Sequence, residues 1–117
     1  MAAQIATTEA AFVHHLQALA GGNMDDIMSD YLEESILLTP QGTFTGLEQI
    51  RGFFVFALTN ILTGESLANF KVYRQEVNGD YAYIFWSAAP NVVAGGDTFH
   101  VRNGKIIMQA FAGYLPS

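Results

Sequence analysis

Two Asn-Gly pairs in the second half of the chain, Asn78-Gly79 and Asn103-Gly104, each separate two runs rich in β-branched and aromatic residues. Asn-Gly readily adopts the left-handed backbone that a two-residue hairpin turn needs, so each pair predicts a β-hairpin. The first joins residues 70–77 to 80–89 and the second joins 98–102 to 105–111. The glycine-rich stretch 90–96 between them reads as a loop or a bulged edge. The C-terminal half is therefore expected to be an antiparallel meander.

The N-terminal half has helical periodicity instead. Ile5, Phe12, Leu16 and Leu19 share one helical face, and Gly21-Gly22 stops the helix over 5–20. On the same wheel His15 flanks the apolar stripe and points inward, whereas His14 points outward. Asn23 is a helix cap for a second, short helix from Met24 to about Tyr31, with Asp25 and Asp26 near its positive end. The run 35–39 reads as a strand ended by Pro40 and the Gln41-Gly42 turn. Thr45 and Glu48 match a capping box, behind which Leu47, Ile50, Phe54, Leu58 and Ile61 recur at helical spacing until Gly64.

Helices first and an antiparallel sheet afterward define an α+β domain, expected to span 1–117 as one unit. The expected architecture is a cone-shaped curved sheet whose concave face is covered by three N-terminal helices. One-to-one pairing across the last turn would set Asp97 opposite Ala110, Phe99 opposite Met108 and Val101 opposite Ile106, all on one face. In the preceding strand Ala82, Ile84, Trp86 and Ala88 form one face and Tyr81, Tyr83 and Phe85 the other. Both faces are apolar, so the Tyr81 face is assigned to a homodimer interface.

Charge narrows the partners. The chain has 5 basic and 11 acidic residues, a net charge of −6, and its basic residues are scattered rather than clustered. That balance disfavours nucleic acid and an anionic membrane surface, both of which call for concentrated positive charge. No apolar run approaches the roughly 20 residues of a bilayer span. The first basic residue is Arg51, so no positively charged leader is seen, and a cytoplasmic location is expected. Without cysteine there can be no disulfide or thiolate zinc site, and no spaced His, Asp and Glu set suggests a metal or cofactor.

Asp97 stands out. It is the one formally charged residue among the 21 between Asp80 and Arg102, and its expected register turns it toward the apolar side. Burial penalises the ionised form, so such a carboxyl is suited to donate a hydrogen bond while neutral, or to move a proton near neutral pH. It reads equally as a turn residue after Gly95-Gly96. His15 is its natural partner from the helix above, although a histidine beside an apolar stripe is also an ordinary core residue. Tyr31, Phe54, Trp86, Phe99 and Met108 would line a pocket with them, or simply fill the core.

Four segments together resemble the nuclear transport factor 2-like superfamily, in its SnoaL-like branch. They are Leu19-Ala-Gly-Gly-Asn-Met-Asp25, Tyr31-Leu-Glu-Glu-Ser-Ile-Leu-Leu-Thr-Pro40, Leu47-Glu-Gln-Ile-Arg-Gly-Phe-Phe54 and Asp97-Thr-Phe-His-Val-Arg-Asn-Gly-Lys105. The resemblance covers essentially the whole chain and implies the cone-shaped fold. It specifies chemistry poorly, because the superfamily includes isomerases, cyclases and non-catalytic modules. In the ketosteroid isomerases, Asp97 would match the protonated aspartic acid of the oxyanion hole, a site used in general accounts of pKa tuning. His15 stands where that family has a tyrosine, and Thr39 where it has the aspartate base before a proline. A threonine hydroxyl has no useful basicity at neutral pH, so Thr39 is left as a ligand-binding hydroxyl. The resemblance implies a small hydrophobic ligand, carbonyl-bearing or phenolic, handled by Asp97 as neutral hydrogen-bond donor or general acid/base in an isomerase- or cyclase-type enzyme. The alternative is a non-catalytic binding or dimer-assembly module.

Overall fold

The computed structural model describes the backbone of residues 2–115 and the side chains of residues 7–115. Helix α1 (Ala2–Gly21) is followed by α2 (Met24–Met28), β1 (Tyr31–Thr39), β2 (Gly42–Thr45), α3 (Gly46–Asn60) and α4 (Gly64–Ala68). Four long strands then complete the sheet: β3 (Phe70–Asn78), β4 (Tyr81–Ala88), β5 (Val92–Arg102) and β6 (Lys105–Tyr114). The sheet is curved and unclosed, in the order β2-β1-β6-β5-β4-β3. Every neighbouring pair is antiparallel except β1–β6. The α+β class and the helix-covered curved sheet are as the sequence predicts, with a fourth short helix added.

The hairpins arise as their turn chemistry dictates. Asn103 and Gly104 both adopt positive φ, the two left-handed residues of a type I′ turn. In the first hairpin Asn78 pairs with Tyr81, so the loop is Gly79-Asp80 rather than Asn78-Gly79, with glycine alone at positive φ. The stretch 90–96 is a strand from Val92 onward, paired with β4 through Ala88 and Val92 and, after an irregularity, through Trp86 and Gly95.

Several expected boundaries move for local reasons. The second helix ends at Met28, because the Asp30 carbonyl accepts the Ile106 N–H at 2.7 Å and commits the chain to the sheet. Tyr31 therefore opens a strand rather than closing a helix. Between Tyr31 and Ile36 the register with β6 shifts, and buried Ser35 stitches the bulge. Its hydroxyl accepts from Leu32 N–H at 2.9 Å and donates to the Ile106 carbonyl at 2.6 Å. Asn23 caps α2 through the Asp26 N–H as expected. The Thr45–Glu48 capping box does not form. Gln49 reaches back to the Thr45 N–H at 2.8 Å, and the Glu33 carboxylate on β1 accepts the Leu47 N–H at 3.3 Å.

The core lies between the helices and the concave face. Phe12 of α1 meets Phe99 of β5 edge-on at 5.5 Å, and Ile27, Leu37, Ile50, Ile84 and Ile106 are fully buried around them. Burying each such side chain contributes about 1.5–3 kcal/mol. Of the stripe expected on α1, Phe12 is buried and Leu16 and Leu19 pack against the core, while the Ile5 side chain lies outside the described residues. No helix among the described residues is long and apolar enough to cross a membrane.

The convex face is apolar too. Tyr81, Phe85 and Tyr73 expose 51%, 39% and 53% of their surface, beside Ile36 and Leu38 at the far end. His100 stacks on Tyr81 with ring centroids 4.7 Å apart, and the Arg74 guanidinium lies 5.7 Å from the Tyr83 ring.

The register of the last hairpin differs from the one-to-one pairing expected, with consequences for the site. Val101 pairs with Ile106 as expected, but His100 pairs with Met108, leaving Ile107 as an extra residue on β6. From there the alternation is displaced by one, so Phe99 faces Gln109 and Asp97 faces Phe111. Met108 and Ala110 accordingly belong to the convex side, where they pair with Ile36 and Leu38 of β1.

Candidate functional site

A cavity of about 60 Å³ opens between α1, α3 and the concave face. Its lining is dominated by Leu16, Leu19, Phe53, Phe54, Trp86, Phe99 and Phe111, and its polar groups come from His15, Asp97 and Gln109 besides the Trp86 indole. Of the expected site residues, Asp97, His15, Phe54, Trp86 and Phe99 meet here. Tyr31 is buried just behind, joined to the cavity wall through Gln109. Thr39 and Met108 do not reach it. Thr39 sits in the β1–β2 turn, where its hydroxyl donates to the Gly42 carbonyl at 2.9 Å and accepts the Gln41 and Gly42 N–H groups. Met108 is carried to the opposite face by the bulge at Ile107.

Asp97 is 7% exposed, and neither of its oxygens lacks a donor. The Trp86 indole N–H donates to Oδ1 at 2.8 Å, and the Gln109 amide N–H donates to Oδ2 at 2.8 Å. The Gln109 amide oxygen in turn accepts the Tyr31 hydroxyl proton in a very short contact. Tyr31, Gln109, Asp97 and Trp86 thus form one continuous chain of hydrogen bonds from β1 across β6 and β5 to β4. Burial pushes the Asp97 carboxyl up from 3.8 to about 6, against the opposing pull of the Gln109 and Trp86 donors. Burial, reinforced by the charges of Asp97 and Asp30, raises the Tyr31 phenol well above its ordinary value, so it remains a neutral donor.

The indole reaches Asp97 because Gly95 has no side chain. A Cβ there would lie 2.8 Å from two atoms of the Trp86 ring, closer than packing allows. The ring therefore lies across β5 and extends its N–H two residues along the strand. Phe111 stacks on it at 6.1 Å, and Phe70 packs against it in a tilted contact at 5.4 Å.

His15 is 1% exposed and ringed edge-on by Phe99, Phe54 and Tyr31 at 5.2, 5.7 and 6.0 Å. Its Nδ1 is the one buried polar side-chain atom without a hydrogen-bond partner among the described residues. Burial, aided by neighbouring His14, lowers its pKa to about 3, so His15 is neutral at physiological pH. The inward placement expected from the helical wheel is correct. His14 does not simply face solvent, because its Nδ1 contacts both oxygens of buried Asp30 at 2.7 and 2.9 Å. His100 lies on the convex side, as its strand position implies. Among the described residues no three His, Asp or Glu side chains gather as metal ligands.

Gln109 is the site residue that sequence reading missed. It is the single polar residue in the run 106–112, a signal that outweighs simple alternation once a bulge is allowed.

The fold has many solved counterparts. An NTF2-like protein of unknown function from Burkholderia xenovorans superposes with a TM-score of 0.75 at 21% identity, covering 97% of this chain and 88% of that one. A SnoaL-like protein of unknown function from Burkholderia thailandensis gives 0.73 at 16%, covering 93% and 96%. A Kribbella flavida protein provisionally named a ketosteroid isomerase gives 0.71 at 16%, covering 95% and 82%. The chain therefore has the nuclear transport factor 2-like fold, in agreement with the resemblance read from its sequence. No family model matches the sequence. No curated protein matches it either.

Proposed function

We propose that this protein binds a small, largely apolar molecule in the cavity beneath α1 and α3, with Asp97 as the group that exchanges a proton with it. The observation that carries this reading is a single carboxyl, buried in an apolar cavity, with one lone pair of each oxygen reserved by a fixed N–H donor. With its pKa near 6, both protonation states lie within reach at neutral pH, as a general acid–base requires. The free lone pairs are where a proton can be received without breaking either hydrogen bond. Asp97 could take a proton from one position of a bound enol or phenol and return it to another, the net change being an isomerisation or ring closure without redox. Neutral His15 would supply a second polar contact. The standard two-aspartate ketosteroid route has no support, since Thr39 occupies the base position and is tied into a turn.

The test is binding and turnover with a panel of small phenols and cyclic ketones, in wild type and Asp97→Asn. The expected result is at least tenfold weaker binding and loss of any turnover in the variant; unchanged values would remove Asp97 from the site.

A second reading, a dimeric module without chemistry, is favoured by the convex face. Tyr81, Tyr83 and Phe85 provide continuous aromatic surface there, beside exposed Tyr73. On this reading a second copy covers that face. Wild type should then sediment as a dimer and Phe85→Glu as a monomer, whereas a monomeric wild type would exclude this interface.

A further inference from the structure

The two donors that hold Asp97 decide what the cavity can recognise. A carboxylate offers about four acceptor sites. Trp86 takes one on Oδ1, and Gln109 takes one on Oδ2. Neither neighbour can be turned round: an indole has only a donor, and a reversed Gln109 amide would set its oxygen against a carboxylate oxygen while breaking its bond from Tyr31. In its ionised form, what Asp97 presents to the cavity is therefore acceptor capacity alone. No lysine or arginine lines the cavity, so an anion there would meet a buried carboxylate with no compensating charge.

We infer that the cavity selects a neutral hydrogen-bond donor, a hydroxyl, enol or ring N–H on a compact apolar body, and discriminates against anions and acceptor-only carbonyls. This inference rests on the ligand-binding reading above and sharpens it. It reverses the polarity that the family resemblance implies for Asp97, from donor toward a ligand oxygen to acceptor from a ligand proton. Size adds a second constraint. The cavity volume of about 60 Å³ is less than half of the roughly 150 Å³ that holds benzene in an engineered apolar cavity. A head group of a few heavy atoms fits beside Asp97, and any remainder of the ligand lies along Leu16, Leu19, Phe53 and Phe111 toward the mouth.

Trp86 is the sole tryptophan, so its indole N–H gives one unambiguous cross-peak in a ¹H–¹⁵N spectrum, reporting on the bond to Asp97. Wild-type protein is titrated at pH 8, where Asp97 is ionised, with three five-membered rings: pyrrole, which has an N–H; furan, which has none; and cyclopentanone, which offers only a carbonyl. Pyrrole should move the peak saturably and bind at least tenfold more tightly than the other two. Furan or cyclopentanone binding as tightly as pyrrole would overturn the donor inference while leaving the binding reading intact. No movement with any of the three would overturn both. Because the comparison uses wild type alone, it does not depend on a variant that folds.

Discussion

Asp30 and Asp97 are buried to nearly the same degree, 6% and 7% exposed, and burial raises the pKa of both. They differ in what holds them. Asp30 is gripped by His14, a titratable base whose side chain is 42% exposed, with the Lys105 charge nearby as a further stabilising influence. Asp97 is held by an indole and an amide, which can neither gain nor lose a proton near neutral pH. A carboxylate held by a histidine with a lysine charge nearby becomes a clamp between elements, here α1 and the start of β1. One matched to neutral dipoles keeps its charge uncompensated, which is what the proposed proton exchange requires. Equal burial thus leaves two acids in different electrostatic settings, and the chemistry of the partners makes the difference.

The sharpest way to break that comparison is to remove the neutral partner. Gln109→Leu would leave the Tyr31 hydroxyl and one oxygen of Asp97 unpaired in the core. Each buried unsatisfied group costs about 1–3 kcal/mol, and charged groups cost more. Urea unfolding at pH 7 should show a loss of about 3–4 kcal/mol; a loss below about 1 kcal/mol would mean the network is not what holds the acid.

The pH dependence comes next in size. Asp97 has a folded pKa raised from 3.8 to about 6, so its stabilising contribution is complete below pH 3.8 and is lost as pH rises through 6. His15 has a folded pKa lowered from 6.5 to about 3, so its contribution is complete above pH 6.5 and is lost as pH falls toward 3. Between neutral pH and about pH 4.5 the two slopes oppose and nearly cancel, each amounting to about 2 kcal/mol. Asp30, also raised, adds to the Asp97 direction. Asp97→Asn should therefore lose stability on acidification relative to wild type, and His15→Phe should gain it, in parallel urea titrations. Parallel profiles for the three proteins would show that neither group is perturbed.

The smallest effect belongs to the clamp. His14→Ala removes the partner of Asp30 at a part-exposed site and should cost about 1 kcal/mol in thermal unfolding. The Trp86 indole resonance should stay where it is, since the hydrogen bonds of Asp30 run to His14 and those of Asp97 to Trp86 and Gln109. A shift of that resonance would show the two acids to be coupled.

Most of the frame is legible in the sequence. The Asn-Gly turns announced the meander, the wheel of α1 sent His15 inward, and an isolated acid between Asp80 and Arg102 pointed to Asp97. The misses share a cause: each was settled by contacts distant in sequence. Tyr31 is a strand residue because β6 lies beside it, and the short β2 strand exists through its pairing with β1. Gln49 and Glu33, rather than Glu48, satisfy the start of α3 because Glu33 lies on a neighbouring strand. The partners of Asp97 were hidden by the bulge at Ile107, since turn chemistry sets the first pair of a hairpin and cannot count an extra residue further along.

That bulge gives the last hairpin two ways to close. Paired one-to-one, β6 would turn Met108 and Ala110 inward and leave Gln109 on the convex surface; with Ile107 set aside, the amide goes in and the methionine comes out. Both arrangements bury apolar atoms, so hydrophobicity is a weak judge between them. The deciding vote falls to Tyr31 and Asp97, which find Gln109 between them in one arrangement alone. The residues proposed to read a ligand's proton are also the ones that tell the final strand which side is which.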